Sequence, residues 1–201
     1  MLRIALTGGI ATGKTFVLKC FSDKGIPTID ADRIAREIVR PELPAWKLIR
    51  SEFGSNFFTN NGELDRKRLA EKIFTDDEAR TKLEAITHPY VKIKISEWFK
   101  GLEHGLISKI GIADIPLLFE AKLAEGFDKI IVTTCNPITQ LRRLMKRDNL
   151  SDTEARDRLR AQLPTESKES QADFIIKTNQ NFKTTERQVE KILKNLKQSS
   201  G

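Results

Sequence analysis

The sequence predicts an α/β protein: a five-stranded parallel sheet with helices on its crossovers and two helical excursions. Three observations carry that expectation. Five short apolar runs rich in Ile and Val lack the strict alternation of a strand with one wet face, so they read as strands covered on both sides. Helical periodicity separates the runs, which points to right-handed crossovers between parallel neighbours. A glycine-rich stretch, "GGIATGKT" at 8–15, stands directly between the first apolar run and the first helical pattern.

The elements follow in order. "RIALT" (3–7) is the first strand, and "FVLKCFSDKG" (16–25) is an amphipathic helix ending at Gly25 near its C-cap. "IPTID" (26–30) is the second strand. About 80 residues without a good strand come next, read from apolar periodicity alone. Within them "ADRIAREIV" stops before Pro41, and "LPAWKLIRSEFG" ends at Gly54. The stretch from Asn61 to Leu102 supplies further helices, with turns expected at "NNG" and near "THP". "IGIAD" (110–114) and "KIIVTT" (129–134) are the third and fourth strands. A highly charged helical excursion follows, in which Ser151 or Asp152 caps a second helix. "DFIIK" (173–177) is the fifth strand, and "TTERQVEKILKNLKQ" is a closing amphipathic helix that frays into "SSG".

Composition narrows the class. The chain has 201 residues, 39% hydrophobic and 31% charged, which suits a packed domain and argues against extended disorder. No basic segment followed by a long apolar run opens the sequence, and no stretch approaches the ~18 apolar residues of a membrane span. A cytoplasmic protein with no membrane partner is expected. Cys20 and Cys135 form no Cys-x-x-Cys pair and read as buried reduced thiols. The net charge of +7 suits a polyphosphate ligand as well as nucleic acid. No arginine-glycine tract, RNA-binding signature or zinc-finger spacing supports the second, so no nucleic-acid partner is expected.

The loop carries the chemistry. Gly8, Gly13, Lys14 and Thr15 match Gly-x-x-x-x-Gly-Lys-Ser/Thr, the phosphate-loop pattern of nucleoside triphosphate-binding proteins. Glycines let successive backbone N–H groups point inward, and the helix beginning near Gly13 adds its unpaired amides and the positive end of its dipole. Gly8, Gly9, Ile10, Ala11, Thr12, Gly13, Lys14, Thr15 and Phe16 form the expected cradle for a nucleoside triphosphate, which the resemblance given below implies is ATP. Lys14 reaches the β- and γ-phosphates, and the Thr15 hydroxyl is a candidate Mg²⁺ ligand.

Other residues surround this motif. "DAD" places Asp30 and Asp32 at the carboxyl end of the second strand, where ligands collect in an open parallel sheet. One of them can accept the proton of an attacking hydroxyl; equally, Asp32 can cap the helix that follows. Asp114 ends a buried strand in the manner of a Walker B aspartate and is the second candidate Mg²⁺ ligand, or it caps a turn. Arg143 and Arg147 share one helix face, with Arg142 and Lys146 on the adjacent row; they either line a solvated face or bring charge to a transferring phosphoryl group. His88, before Pro89, is explained by a helix break, though a histidine there can also bind a ligand.

Taken together, "ALTGGIATGKT", "GIPTIDADRIAREIV", "THPYV", "ADIPLLFE", "RLMKRDNLSDTEARDRLRAQLP" and "ADFIIKTN" resemble the dephospho-coenzyme A kinase family over nearly the whole chain. The resemblance implies transfer of the γ-phosphoryl group of ATP to the ribose 3′-hydroxyl of dephospho-CoA. It implies a P-loop core (1–30, 105–138 and 170–201), a helical acceptor domain (31–104) and a helical lid (139–169). It makes Asp32 the partner of the acceptor hydroxyl and Arg147 the lid arginine on the phosphates. Gln162 falls at the lid glutamine and His88 at the acceptor-domain histidine. Catalytic Asp32, Lys14 and Arg147, substrate-binding Asp32 and His88, and metal-binding Thr15 and Asp114 form the expected site, with a monomer or weak homo-oligomer as the assembly.

Two departures stand out. The loop reads "GIATGKT" where "GIGSGKS" is usual, so Ala11 is a problem only if a positive φ is needed there. The fifth strand ends "IKTN" rather than "IDN", which alters any adenine contact at 177–179. Other P-loop small-molecule kinases are the nearest rivals. A GTP-binding switch lacks its Asn-Lys-x-Asp in "TTCNPITQ", and a nucleic-acid-stimulated ATPase would need stimulation by DNA or RNA.

Overall fold

Each of the five expected apolar runs supplies a strand, and together they form one sheet. The computed structural model describes residues 1–105 and 107–199. Strands β1 (Leu2–Gly8), β2 (Thr28–Asp30), β3 (Ile110–Asp114), β4 (Lys129–Thr134) and β5 (Phe174–Lys177) lie in the order β2-β3-β1-β4-β5. β1 runs parallel to both β3 and β4, with Leu6 opposite Asp114 and Gly8 opposite Thr133. β4 runs parallel to β5. β2 is shorter than the expected 26–30. Pro27 has no N–H to give the ladder, yet its carbonyl still accepts from Ile112 N at 3.0 Å.

The chain divides into two compact units, Asp30–Trp98 and the remainder. In the sheet-bearing unit, α1 (Lys14–Asp23) and α9 (Phe182–Ser199) bury Val17, Phe21, Val189, Ile192 and Leu196 with Ile4, Leu6, Ile112, Ile131 and Ile176 of the sheet. Helix α1 closes where Gly25 N–H meets Ser22 O at 2.9 Å and Ile26 N–H meets Phe21 O at 3.2 Å. On the outer side of β5, the carboxamide of Gln188 accepts Lys177 N–H at 3.0 Å and donates to Lys177 O at 2.9 Å. After β4 come α6 (Pro137–Asp148), α7 (Asp152–Arg160) and α8 (Thr165–Glu169). Helix α6 starts on Asn136, which caps Thr139 N at 2.7 Å ahead of Pro137. Ser151, not Asp152, caps α7, in a reciprocal box with Glu154. Of the tail expected to fray, Ser199 still belongs to α9, and Ser200 and Gly201 lie outside the described residues.

The other unit is helical: α2 (Ala31–Glu37), α3 (Pro44–Phe53), α4 (Arg66–Thr75) and most of α5 (Asp77–His104). Trp46 anchors it, donating from Nε1 to Gly62 O at 2.8 Å and packing edge-on against Phe58 at 5.2 Å. The turn at "NNG" is present. The break expected at His88-Pro89 is not: α5 continues through Pro89. An interior proline costs about 3 kcal/mol. Buried Val91, Ile95, Phe99 and Leu102 beyond it recover that and more, at roughly 1.5–3 kcal/mol for each fully buried side chain.

Candidate active site

The phosphate loop is shaped by what touches it. A Cβ on Gly8 would lie 2.1 Å from Thr133 Oγ1 and 2.5 Å from Thr133 O, so any larger residue clashes with β4. Gly13 caps α1 at φ 86°, a left-handed conformation that costs an L side chain energy. Ala11 also adopts a left-handed φ, of 60°. The positive φ is thus required where this sequence carries an alanine, and the loop bears the strain that a glycine would avoid.

Several side chains hold that strained turn in place. Thr12 Oγ1 donates to Gly9 O at 2.7 Å and lies 2.8 Å from Thr133 Oγ1. Gln140 Nε2 on α6 donates to Ile10 O at 2.8 Å, and Gln162, past α7, accepts Ile10 N–H at 2.8 Å. The peptide groups on either side of Ile10 are therefore gripped by two carboxamides. Thr178, just past β5, donates to Thr12 O at 2.7 Å, while Arg143 donates to Thr178 Oγ1 at 2.9 Å and to Thr178 O at 2.8 Å. Arg143 thus supports the far side of the same loop.

Lys14 is ion-paired through Nζ with Asp114 Oδ1, and both side chains are largely buried. Thr15 is exposed in the first turn of α1. The N–H of Phe16, the last residue of the expected cradle, bonds Gly13 O at 3.1 Å within the opening turn of the helix. Thr15 and Asp114 offer a hydroxyl and a carboxylate, hard oxygen donors of the kind Mg²⁺ takes. No group of three or more His, Cys, Asp or Glu that could hold a metal occurs among the described residues; an ion that keeps waters and phosphate oxygens needs no such cage.

The two arginines of α6 part ways. Arg143 turns inward to Thr178; Arg147 is held by Asp148 at 2.7 and 3.0 Å, and Arg158 joins the same carboxylate at 2.9 Å. The hydrogen bond from Arg147, then the charges of Arg147 and Arg158, keep the Asp148 carboxyl below its ordinary range. Burial pushes the Cys135 thiol up, opposed by the charge of Arg143. Burial likewise raises Cys20, and both cysteines are free thiols. Asn179 accepts Asn136 N–H at 2.5 Å, so the altered "IKTN" end ties β5 to the start of α6.

In the helical unit the two acids of "DAD" separate. Asp30 ends β2, as expected, but Asp32 stands in α2, which begins at Ala31 between them. Asp30, not Asp32, caps the helix, accepting Asp32 N–H at 2.8 Å and Arg33 N–H at 3.2 Å. Asp32 lies exposed in the first turn, where a carboxylate also meets the positive end of the helix. His88 lies half-buried within α5.

Comparison with known proteins agrees along the whole length. Residues 2–184 match the family model for dephospho-CoA kinase. The chain is 41% identical over 194 residues to dephospho-CoA kinase of Bdellovibrio bacteriovorus, covering 96% of each. It is 42% identical over 193 residues to dephospho-CoA kinase of Bacillus cereus, again covering 96% of each. Among solved structures, dephospho-CoA kinase from Campylobacter jejuni superposes with a TM-score of 0.74 at 31% identity, covering 99% of this chain and 98% of that one. A shikimate kinase from Bacteroides thetaiotaomicron, at 19% identity and a TM-score of 0.57, shares the fold. A phosphate loop braced on every side, on a sheet of this strand order and with likeness running from end to end, places the chain in the dephospho-CoA kinase family of ATP-dependent kinases.

Proposed function

We propose that the chain transfers the γ-phosphoryl group of ATP to the ribose 3′-hydroxyl of dephospho-CoA, yielding CoA and ADP. The braced loop with Lys14, in a chain alike to dephospho-CoA kinases over nearly all of its length, carries this reading. Lys14 and the inward N–H groups neutralise the β- and γ-phosphates, and electrostatic stabilisation dominates because a loose phosphoryl-transfer transition state needs little covalent help. Thr15 and Asp114 would hold Mg²⁺, which would supply further charge neutralisation. Asp32 accepts a hydrogen bond from the 3′-hydroxyl and orients it for attack. Arg147 and Gln162 belong to a lid formed by 139–169, and His88 to the acceptor domain, 31–104. The protein works in the cytoplasm.

The test is a coupled assay of ADP release. Rapid ADP formation with dephospho-CoA and slow hydrolysis without it is expected; equal rates in its presence and absence, or brisk use of an unrelated small alcohol instead, overturns the reading.

A further inference from the structure

Side chains hold three carbonyls of the phosphate loop. Gln140 Nε2 donates to Ile10 O at 2.8 Å, Thr178 Oγ1 to Thr12 O at 2.7 Å, and Thr12 Oγ1 to Gly9 O at 2.7 Å. A trans peptide points its C=O and its N–H in opposite directions, so a side chain that holds a carbonyl also aims the N–H of the next residue. Holding Gly9 O aims the Ile10 N–H, which Gln162 accepts. Holding Ile10 O and Thr12 O aims the N–H groups of Ala11 and Gly13, and among the described residues neither of these has an acceptor. Backbone donors gathered in a turn of this kind form an anion-binding concavity.

The two peptides aimed in this way differ in their strain. Gly13 takes its φ of 86° freely, whereas Ala11 at φ 60° sets its Cβ against the backbone. Turning over the Ile10–Ala11 peptide would return Ala11 to negative φ and swing its N–H away from the cradle. The alanine therefore favours the wrong orientation of its own amide. Gln140 opposes that choice, because the turned peptide would carry Ile10 O away from Nε2. Its side chain is buried and comes from α6, whose start is fixed where Asn136 caps Thr139 N at 2.7 Å. A Cβ on Gly9 would lie 2.8 Å from Gln140 Nε2, so the glycine there gives the carboxamide its close approach. We propose that Gln140 is a positioning residue: through Ile10 O it keeps the Ala11 N–H aimed at the phosphates of the nucleotide. The proposal rests on the reading of this loop as the cradle for ATP.

The experiment uses the full chain with Gln140→Leu and Gln140→Met, which keep most of the bulk of the buried side chain and lose its donor. Each is made alone and together with Ala11→Gly. ATP binding is followed by calorimetry, beside steady-state kinetics. Each single variant is expected to bind ATP roughly five- to tenfold more weakly, as loss of one hydrogen bond lowers the fraction of loop in the competent orientation. KM for dephospho-CoA should move less than about twofold. Adding Ala11→Gly to either variant recovers most of the loss, because glycine takes the required φ without strain, and the gain exceeds what Ala11→Gly gives in the wild-type background. A bond that only tied α6 to the loop would make the two changes additive. Unchanged ATP binding in both Gln140 variants overturns the proposal, as does a loss that Ala11→Gly leaves in place. A wild-type protein that binds no ATP overturns both the proposal and the reading of the loop. A wild type that binds ATP with this dependence on Gln140 but does not phosphorylate dephospho-CoA overturns the proposed reaction and leaves the role of Gln140 standing.

Discussion

The side-chain oxygen of Gln162 accepts the N–H of Ile10 at 2.8 Å, fastening a residue past α7 to the phosphate loop. Gln162→Leu removes one neutral hydrogen bond, a loss of about 1 kcal/mol. In a chain of this length that lowers Tm by about 2–4 °C. The drop should shrink when saturating ATP gives the Ile10 amide a phosphate partner. Thermal melts with and without nucleotide check this; an equal drop in both contradicts it.

Lys14 pairs with Asp114, so Lys14→Ala withdraws one partner from a carboxylate that is nearly buried. The variant should lose kcat/KM by about 10²–10³-fold, the scale of a lost charge-stabilising donor. It should also melt below wild type. Chelation of Mg²⁺ is expected to abolish turnover of the wild type and to leave its melt without nucleotide unchanged. Kinetics and calorimetry decide both points.

Asp32→Asn leaves the α2 cap intact, because Asp30 provides it. The expected result is a fall in kcat of about 10²-fold with KM for ATP near wild type. Wild-type turnover in this variant removes Asp32 from the mechanism.

Ala11 holds a φ of 60°, where an L residue carries roughly 1–2 kcal/mol of strain. Ala11→Gly relieves that but adds freedom to the unfolded chain, about 0.4–1 kcal/mol in the opposite direction. A net gain of about 0–1.6 kcal/mol is expected from these two figures. Ala11→Val should be destabilising instead, because a β-branched residue tolerates that conformation worst. Chemical denaturation of the three proteins ranks them.

The Cys135 thiol has its pKa raised by burial, with Arg143 opposing. A raised folded-state value means the neutral thiol is favoured in the native protein. Its contribution to stability is thus whole below the ordinary thiol pKa of about 8.5 and is lost as pH climbs through the raised value. Wild type should lose more stability than Cys135→Ala between pH 8 and pH 10, values that bracket that ordinary thiol pKa of about 8.5. Paired denaturant titrations at the two pH values measure the difference. Cys135 should also resist thiol reagents at neutral pH until the protein unfolds.

Much of this was readable from residue order. The strands β3 and β4, the loop and the helical excursions follow from apolar periodicity and glycine spacing, which report local geometry directly. Two kinds of feature were not. Pro89 argues locally for a break, but burial further along α5 outweighs it, and burial is a tertiary quantity. The braces on the loop join residues far apart in sequence: Gln140 and Gln162 to Ile10, Arg143 to Thr178, and Thr178 to Thr12. One signal was available. Gln140 shares a helix face with Leu144, both buried on an otherwise charged α6, and a polar group at a core-facing position needs a partner. The separation of Asp30 from Asp32 turned on a single residue, since the helix starts at Ala31 and hands the capping role to the first acid.

The carboxamide of Gln188 occupies both hydrogen-bonding groups of Lys177 at the rim of β5. A parallel sheet leaves its outermost strands as templates onto which a foreign strand can zip, the first step toward fibrils. Here the last rung of one template is already filled from within the molecule. A change at Gln188 would thus show itself less in catalysis than in shelf life, as a rising tendency of concentrated protein to aggregate.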